Sequence, residues 1–139
     1  MSVTVTPHLN FRGEARAALE LYRSVFGGEL TVVTYADARA VTDPAAADQV
    51  MWGQVASDAG FRVMAYDVPP ATRWEPGTIP FFASVRGADA AEITRYWERL
   101  AEGATVVVPL APSGWAPLYG MLTDRFGVTW VLDVEASWS

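Results

Sequence analysis

Residues 5–11, Val-Thr-Pro-His-Leu-Asn-Phe, alternate apolar and polar positions, which predicts a strand with every second side chain on one face. After it, Ala15, Ala18, Leu19, Tyr22 and Phe26 recur at steps of three and four, so a helix with one apolar stripe is predicted over 14–26. Gly27-Gly28 follows at the point where a helix exit favours glycine. Three further strands are predicted over 30–35, 49–57 and 61–67, the last two joined by the turn Asp58-Ala59-Gly60. The order is βαβββ.

The same order returns in the second half: a strand over 80–85, a helix over 89–102, and strands near 105–108, 119–123 and 128–134. Setting Arg12-Gly13 on Arg86-Gly87 gives an offset of 74 that also aligns Leu19 with Ile93, Tyr22 with Tyr96 and Phe26 with Leu100. Self-similarity at a fixed offset is the mark of duplicated units. Between them, 68–77 holds Pro69-Pro70 and Pro76-Gly77 and reads as a linker, because proline neither donates to a ladder nor continues a helix. We therefore expect a single domain over 1–139, made of two homologous modules, approximately 1–67 and 78–135. The proline-containing stretches 36–48 and 109–117 read as long loops, which are more often functional than idle.

With 139 residues, 51% of them hydrophobic and 19% charged, the chain can bury a sizeable core. A net charge of −6 argues against binding to nucleic-acid phosphates or an anionic membrane surface. The absence of cysteine removes disulfides, thiolate nucleophiles and cysteine-based zinc sites. The start lacks the basic and apolar regions of a signal peptide, and no apolar run reaches the roughly 18 residues of a membrane span. The expected location is the cytoplasm.

Two stretches then resemble a known family. The first is Pro7-His8-Leu9-Asn10-Phe11 with Gly13 and the helix end Leu21-Tyr22-Arg23-Ser24-Val25-Phe26-Gly27-Gly28-Glu29. The second is Trp115-Ala116, Tyr119-Gly120-Met121 and Thr123-Asp124-Arg125-Phe126-Gly127-Val128-Thr129-Trp130. Together they resemble the PhnB-like branch of the vicinal-oxygen-chelate superfamily, which includes glyoxalase I, bleomycin-resistance proteins and dioxygenases. The resemblance implies an α+β fold: two βαβββ modules forming a strongly curved mixed eight-stranded sheet with helices on the outer face. It also implies a homodimer and a cavity in the sheet where enzymes of the superfamily hold a divalent metal.

The family's four metal-ligand positions fall here on Pro7, Met64, Pro80 (Phe81 if the register slips by one) and Val131. None offers the imidazole, thiolate or carboxylate that zinc, nickel or magnesium requires. The chain's one histidine, His8, is expected by alternation to face away from the Pro7 position. A His and a Glu common two apart on the third strand of PhnB-like chains correspond to Trp52 and Gln54.

What remains is an aromatic and apolar set. Leu9, Phe11, Trp52, Gln54, Met64, Tyr66, Trp115 and Tyr119 are the expected ligand-binding residues, with no metal, no cofactor and no assigned catalytic residue. The alternative for the apolar members is a sealed core. Trp97 and Trp130 read as packing, Trp74 as a weaker candidate on the linker, and Trp138 as a dimer cap or an exposed terminus. Ser113-Gly114 lacks a nearby base, and Asp124-Arg125 reads as a structural salt bridge. Glu14 and Asp89 stand where a negative charge favours a helix dipole. The expected function is metal-free binding of a planar aromatic or apolar small molecule by a homodimer, in the manner of antibiotic sequestration. The alternative is a glyoxalase-superfamily enzyme (lyase, isomerase or dioxygenase) with a displaced metal site, or acid-base catalysis by Asp67, Tyr66 or His8.

Overall fold

In the computed structural model, which describes residues 4–135, the chain divides between Pro76 and Gly77 into two compact units. The first contains β1 (His8–Phe11), α1 (Ala15–Phe26), β2 (Glu29–Thr34), a short 3-10 turn (Pro44–Ala46), β3 (Val50–Ala56) and β4 (Arg62–Asp67). Its sheet has the order β1-β4-β3-β2, with β1 parallel to β4 and the other neighbours antiparallel. The second contains β5 (Ala83–Gly87), α2 (Ala90–Leu100), β6 (Thr105–Ala111), β7 (Leu118–Thr123) and β8 (Thr129–Val134), in the equivalent order β5-β8-β7-β6.

The expectation of one strongly curved eight-stranded sheet is corrected. Two four-stranded mixed sheets form, neither strongly curved nor closed, and each ladder ends within its own unit. Alternation along a strand specifies which side chains share a face, but not which edge strand finds a partner. Continuity of a sheet is decided by long-range backbone pairing that leaves no trace in periodicity.

Each helix lies on one face of its own sheet, and a glycine in the third strand lets it approach. A Cβ on Gly53 of β3 would stand 2.4 Å from Leu19 Cδ1 of α1, and one on Gly120 of β7 would stand 2.8 and 2.9 Å from the Trp97 ring of α2. The same device therefore serves both modules. Beneath α1 the core gathers Leu9, Phe11, Val55, Val63 and Ala65 with the helix residues Ala15, Ala18, Leu19, Tyr22 and Phe26. Trp97 and Trp130 both pack: Trp130 is buried, and its ring N–H donates to Asp124 Oδ2 at 2.9 Å. Trp138 lies outside the described residues.

The two helices begin differently. Asp89 caps α2 locally, its Oδ1 accepting from Ala91 N at 2.9 Å. Glu14 makes no side-chain cap for α1. Asp67, at the end of β4, supplies it: Oδ1 accepts from Gly13 N at 2.7 Å and Ala15 N at 3.0 Å, while Oδ2 accepts from Val50 N at 2.9 Å. One carboxylate thus ties the entry of α1 to the start of β3.

Other differences from the expected elements are local. The first strand starts at His8 rather than residue 5, since Pro7 has no N–H with which to extend the ladder. Strand β2 ends at Thr34, where Thr34 N donates to Asp37 Oδ2 and Asp37 N donates to Thr34 Oγ1. The sixth strand runs to Ala111, through Pro109, rather than stopping at 108 before a loop. It is an edge strand whose register shifts twice against β7, and proline is tolerated at such edges and bulges.

Candidate functional site

Strand pairing sorts the candidate residues by face. In the first unit Gly53, Ala65 and Leu9 stand opposite one another, and Gly53 marks the side that meets α1. The next row, His8, Met64, Gln54 and Thr31, therefore lies on the side away from the helix. Asn10, Tyr66, Trp52 and Val33 follow on that same side. Of the expected ligand-binding residues, Trp52, Gln54, Met64 and Tyr66 are thus brought together on one helix-free face.

Leu9 and Phe11 are not part of that group. They point under α1 and are only 1% and 3% exposed. The parity assumed for β1 is corrected by one position: its register with β4 pairs His8, not Leu9, with Met64. His8 consequently shares a face with the Met64 position instead of turning away, and Asn10 joins it. Asn10 was missed as a candidate and His8 entered only as an acid-base alternative, because the register that brings both to this face depends on a parallel pairing between residues more than fifty positions apart.

Contacts knit this face together. The Trp52 ring N–H donates to Met64 Sδ at 3.2 Å, a weak hydrogen bond to a polarizable sulfur. His8 Nδ1 and Asn10 Oδ1 lie 3.1 Å apart, and the His8 ring meets the Tyr66 ring edge-on at a centroid distance of 5.3 Å and an interplanar angle of 69°. An amide oxygen can only accept, so Nδ1 is the donor in this contact, and Nε2 is the ring nitrogen not engaged with Asn10. The result is a half-exposed platform of two aromatic rings, a thioether, an imidazole and two amides.

Asp67 does not belong to it. Its carboxylate faces the helix side and accepts three backbone N–H groups, so it acts as a structural acceptor and not as a proton shuttle on the platform. Tyr35 donates its hydroxyl to Asp67 O at 2.7 Å. Burial, with the charges of Tyr66 and Asp67, raises the Tyr35 pKa above the ordinary phenol value.

In the second unit, Gly120 marks the face of β7 that meets α2, and with it Leu132 and Leu122–Trp130. The opposite face carries Ser84, Val131 and Met121, and then the row Arg86, Asp133, Tyr119 and Ala111. Every residue of β8 is buried, Val131 and Asp133 included. Arg86 grips Asp133 side-on, Nε to Oδ1 at 3.2 Å and Nη2 to Oδ2 at 3.0 Å, and the hydrogen bonds and charge of Asp133 raise the guanidinium's pKa further. Trp115, 55% exposed, meets Tyr119 edge-on at 5.1 Å. Trp74 instead sits under the Arg12 guanidinium, 5.8 Å from its ring centre.

The other polar candidates are absorbed by structure. Ser113 Oγ accepts from Ala116 N at 3.1 Å and shapes its loop. Asp124 Oδ1 accepts from Phe126 N and Val128 N across a turn, while Arg125 donates to Glu102 O. Both residues of the Asp124-Arg125 pair thus serve structure, Asp124 also accepting from the Trp130 ring N–H.

A divalent metal does not fit this chain's donor set. No group of three or more His, Cys, Asp or Glu side chains that could hold a metal ion occurs among the described residues. Met64 is engaged with Trp52, and Val131 lies in the buried strand β8. Among the described residues no helix is long and apolar enough to cross a membrane.

Comparison with known proteins agrees with this architecture. The chain is similar along 98% of its length to protein PA1353 from Pseudomonas aeruginosa, covering 100% of that chain at 35% identity with a TM-score of 0.84. It is similar in fold to a PhnB protein from Bacillus cereus (22% identity, TM-score 0.71, 95% of this chain and 99% of that one). A glyoxylase/bleomycin resistance protein/dioxygenase domain from Frankia sp. EAN1pec gives 13% identity and a TM-score of 0.68, over 98% and 99% of the two chains. No curated protein matches significantly. The family model that matches residues 7–132 covers both βαβββ modules, and the chain belongs to the Glyoxalase/Bleomycin resistance protein/Dioxygenase superfamily.

Proposed function

We propose that this protein is a PhnB-like member of the superfamily that binds a planar aromatic or apolar small molecule without a metal, and sequesters it in the manner of antibiotic-resistance proteins. The observation that carries the reading is the helix-free face of the first module, where Trp52, Met64, Tyr66 and His8 stand side by side. Aromatic and thioether groups offer a planar ligand stacking and dispersion, while Gln54 and Asn10 supply the few polar contacts that fix orientation. Trp115 and Tyr119 form a separate aromatic pair on the second module. The two modules act as one domain, and the protein works as a cytoplasmic homodimer.

A second reading is favoured by one observation, the contact between His8 and Tyr66: metal-free acid-base chemistry with His8 Nε2 as the base. The two readings diverge experimentally. Native mass spectrometry of the protein as purified, with no metal or ligand added, is expected to give a dimer carrying an organic mass. A thermal-shift and tryptophan-fluorescence screen against an aromatic library is expected to give hits, each stabilising the fold by ~2.7 kcal/mol at 100 times its dissociation constant. Trp52→Ala should abolish those hits. One divalent metal per chain, or silence across the library, would overturn the binding reading; turnover of a hit compound, lost in His8→Gln, would establish the enzyme.

A further inference from the structure

We propose that Arg86, clamped by Asp133, is an anion-recognition point on the second module, which receives the carboxylate of an aromatic acid whose ring meets Trp115 and Tyr119. The ring part rests on the aromatic-ligand reading above; the anion part rests on separate residues.

A planar guanidinium has five N–H donors, and the side-on fork to Asp133 uses the Nε and Nη2 edge. Planarity turns the edge that includes Nη1 away from Asp133, in the geometry that receives a second carboxylate. The Arg86 side chain is 57% exposed, whereas that of Asp133 is only 4% exposed. Such a pair adds little to stability, because the buried carboxylate loses its hydration and the arginine remains screened by water. What the pair does achieve is to hold an exposed guanidinium in one orientation.

The duplicated sequence contains its own control. Arg12, aligned with Arg86 by the repeat, donates through Nη2 to Pro69 O and Thr72 O and covers the Trp74 ring. Its guanidinium is spent on the chain that follows β4. Arg86 is instead presented on a side-chain carboxylate, in one row across the sheet with Asp133 and Tyr119. Two interstrand steps separate Arg86 from Tyr119, roughly 10 Å between backbones, and Trp115 stands edge-on to that tyrosine. A carboxylate at one end and a two-ring aromatic at the other matches that span.

The test is calorimetric titration of the full chain with 2-naphthoate and with its neutral analogue 2-naphthamide. It compares wild type, Arg86→Lys, and the double variant Arg86→Gln with Asp133→Asn, which leaves no buried carboxylate stranded. Wild type should prefer the acid by about tenfold or more, as expected for a charge-assisted bidentate contact. The double variant should bind both probes equally and keep the wild-type affinity for the amide. Arg86→Lys, which retains the ion pair and guards against a double variant that does not fold, should lose most of the preference. Equal binding of acid and amide to wild type, or a preference that survives both variants, overturns the anion point and leaves the aromatic reading standing. Binding of neither probe overturns both.

Discussion

Replacing Asp67 by alanine should destabilise the first module severely, and the size of the loss follows from three hydrogen bonds. Gly13 N, Ala15 N and Val50 N all donate to a carboxylate that is only 1% exposed, at 2.7, 3.0 and 2.9 Å. Hydrogen bonds to a charged group are worth about 1.5–3 kcal/mol each, and a stranded buried N–H costs a further ~1–3 kcal/mol. Against this stands the cost of burying the carboxylate, several kcal/mol, which alanine relieves. The opposing terms leave an expected loss of about 3–5 kcal/mol, at the upper end for a point substitution.

Asp67→Asn separates the charge from the geometry. An amide oxygen in the Oδ1 position keeps the bonds from Gly13 and Ala15, but its NH2 then faces the Val50 N–H, donor against donor. The expected loss is about 1–3 kcal/mol. Urea unfolding followed by tryptophan fluorescence measures both, and amide hydrogen exchange locates the damage, with Gly13, Ala15 and Val50 losing protection first. An alanine variant within ~0.5 kcal/mol of wild type would refute the staple. If instead Asp67 served as a catalytic acid or base, the asparagine variant would lose activity at unchanged stability and exchange.

Three further outcomes follow from the same geometry. Gly120→Ala drives a Cβ to 2.8 Å from the Trp97 ring and 3.0 Å from Leu110 Cα, and should cost about 1–3 kcal/mol in urea unfolding. Gly114→Ala, with nothing within 4 Å of the added carbon, should stay within ~0.5 kcal/mol. Tyr35 has its folded-state pKa raised, by burial first and then by Tyr66 and Asp67. Its contribution is fully present below the unfolded phenol value of about 10 and is lost as pH rises through the folded value. Unfolding measured from about pH 8 upward should show an alkaline decline that Tyr35→Phe reduces.

How much of this was legible in the sequence depended on the range over which each feature is specified. The helix stripe of α1 needs only steps of three and four, and Ala15, Ala18, Leu19, Tyr22 and Phe26 are all buried as that stripe requires. The cap of α2 is equally local, since Asp89 and Ala91 are two residues apart. The cap of α1 is not: its carboxylate comes from 52 residues beyond Ala15, at the far end of a strand whose register must first be known. The same register decides that His8 and Asn10, rather than Leu9 and Phe11, face the platform. A slip of one residue moves a whole strand's side chains to the other face, so a parity taken from family positions is the weakest link in a site assignment.

The duplicated arginines carry this reasoning to the site itself. The offset that aligns Arg12 with Arg86 puts both at a strand's end before a helix, but Arg12 lies just past β1 whereas Arg86 is still in the ladder of β5. Their partners are not given by the offset, because Arg12 reaches carbonyls 57 and 60 residues away while Arg86 reaches a carboxylate 47 residues away. After duplication the close approach of helix to sheet is kept in kind but not residue for residue: Gly53 lies under Leu19, whereas Gly120 lies under Trp97, four residues beyond the Ile93 that aligns with Leu19. The sheet faces away from the helices are filled differently: Val131 and Asp133 are buried there in the second module, while Trp52, Met64 and Tyr66 stay half-exposed in the first. There the modules diverge, the first towards a platform of aromatic and thioether groups and the second towards a clamped guanidinium with an aromatic pair of its own, so each face sets its own chemical demand on what it binds.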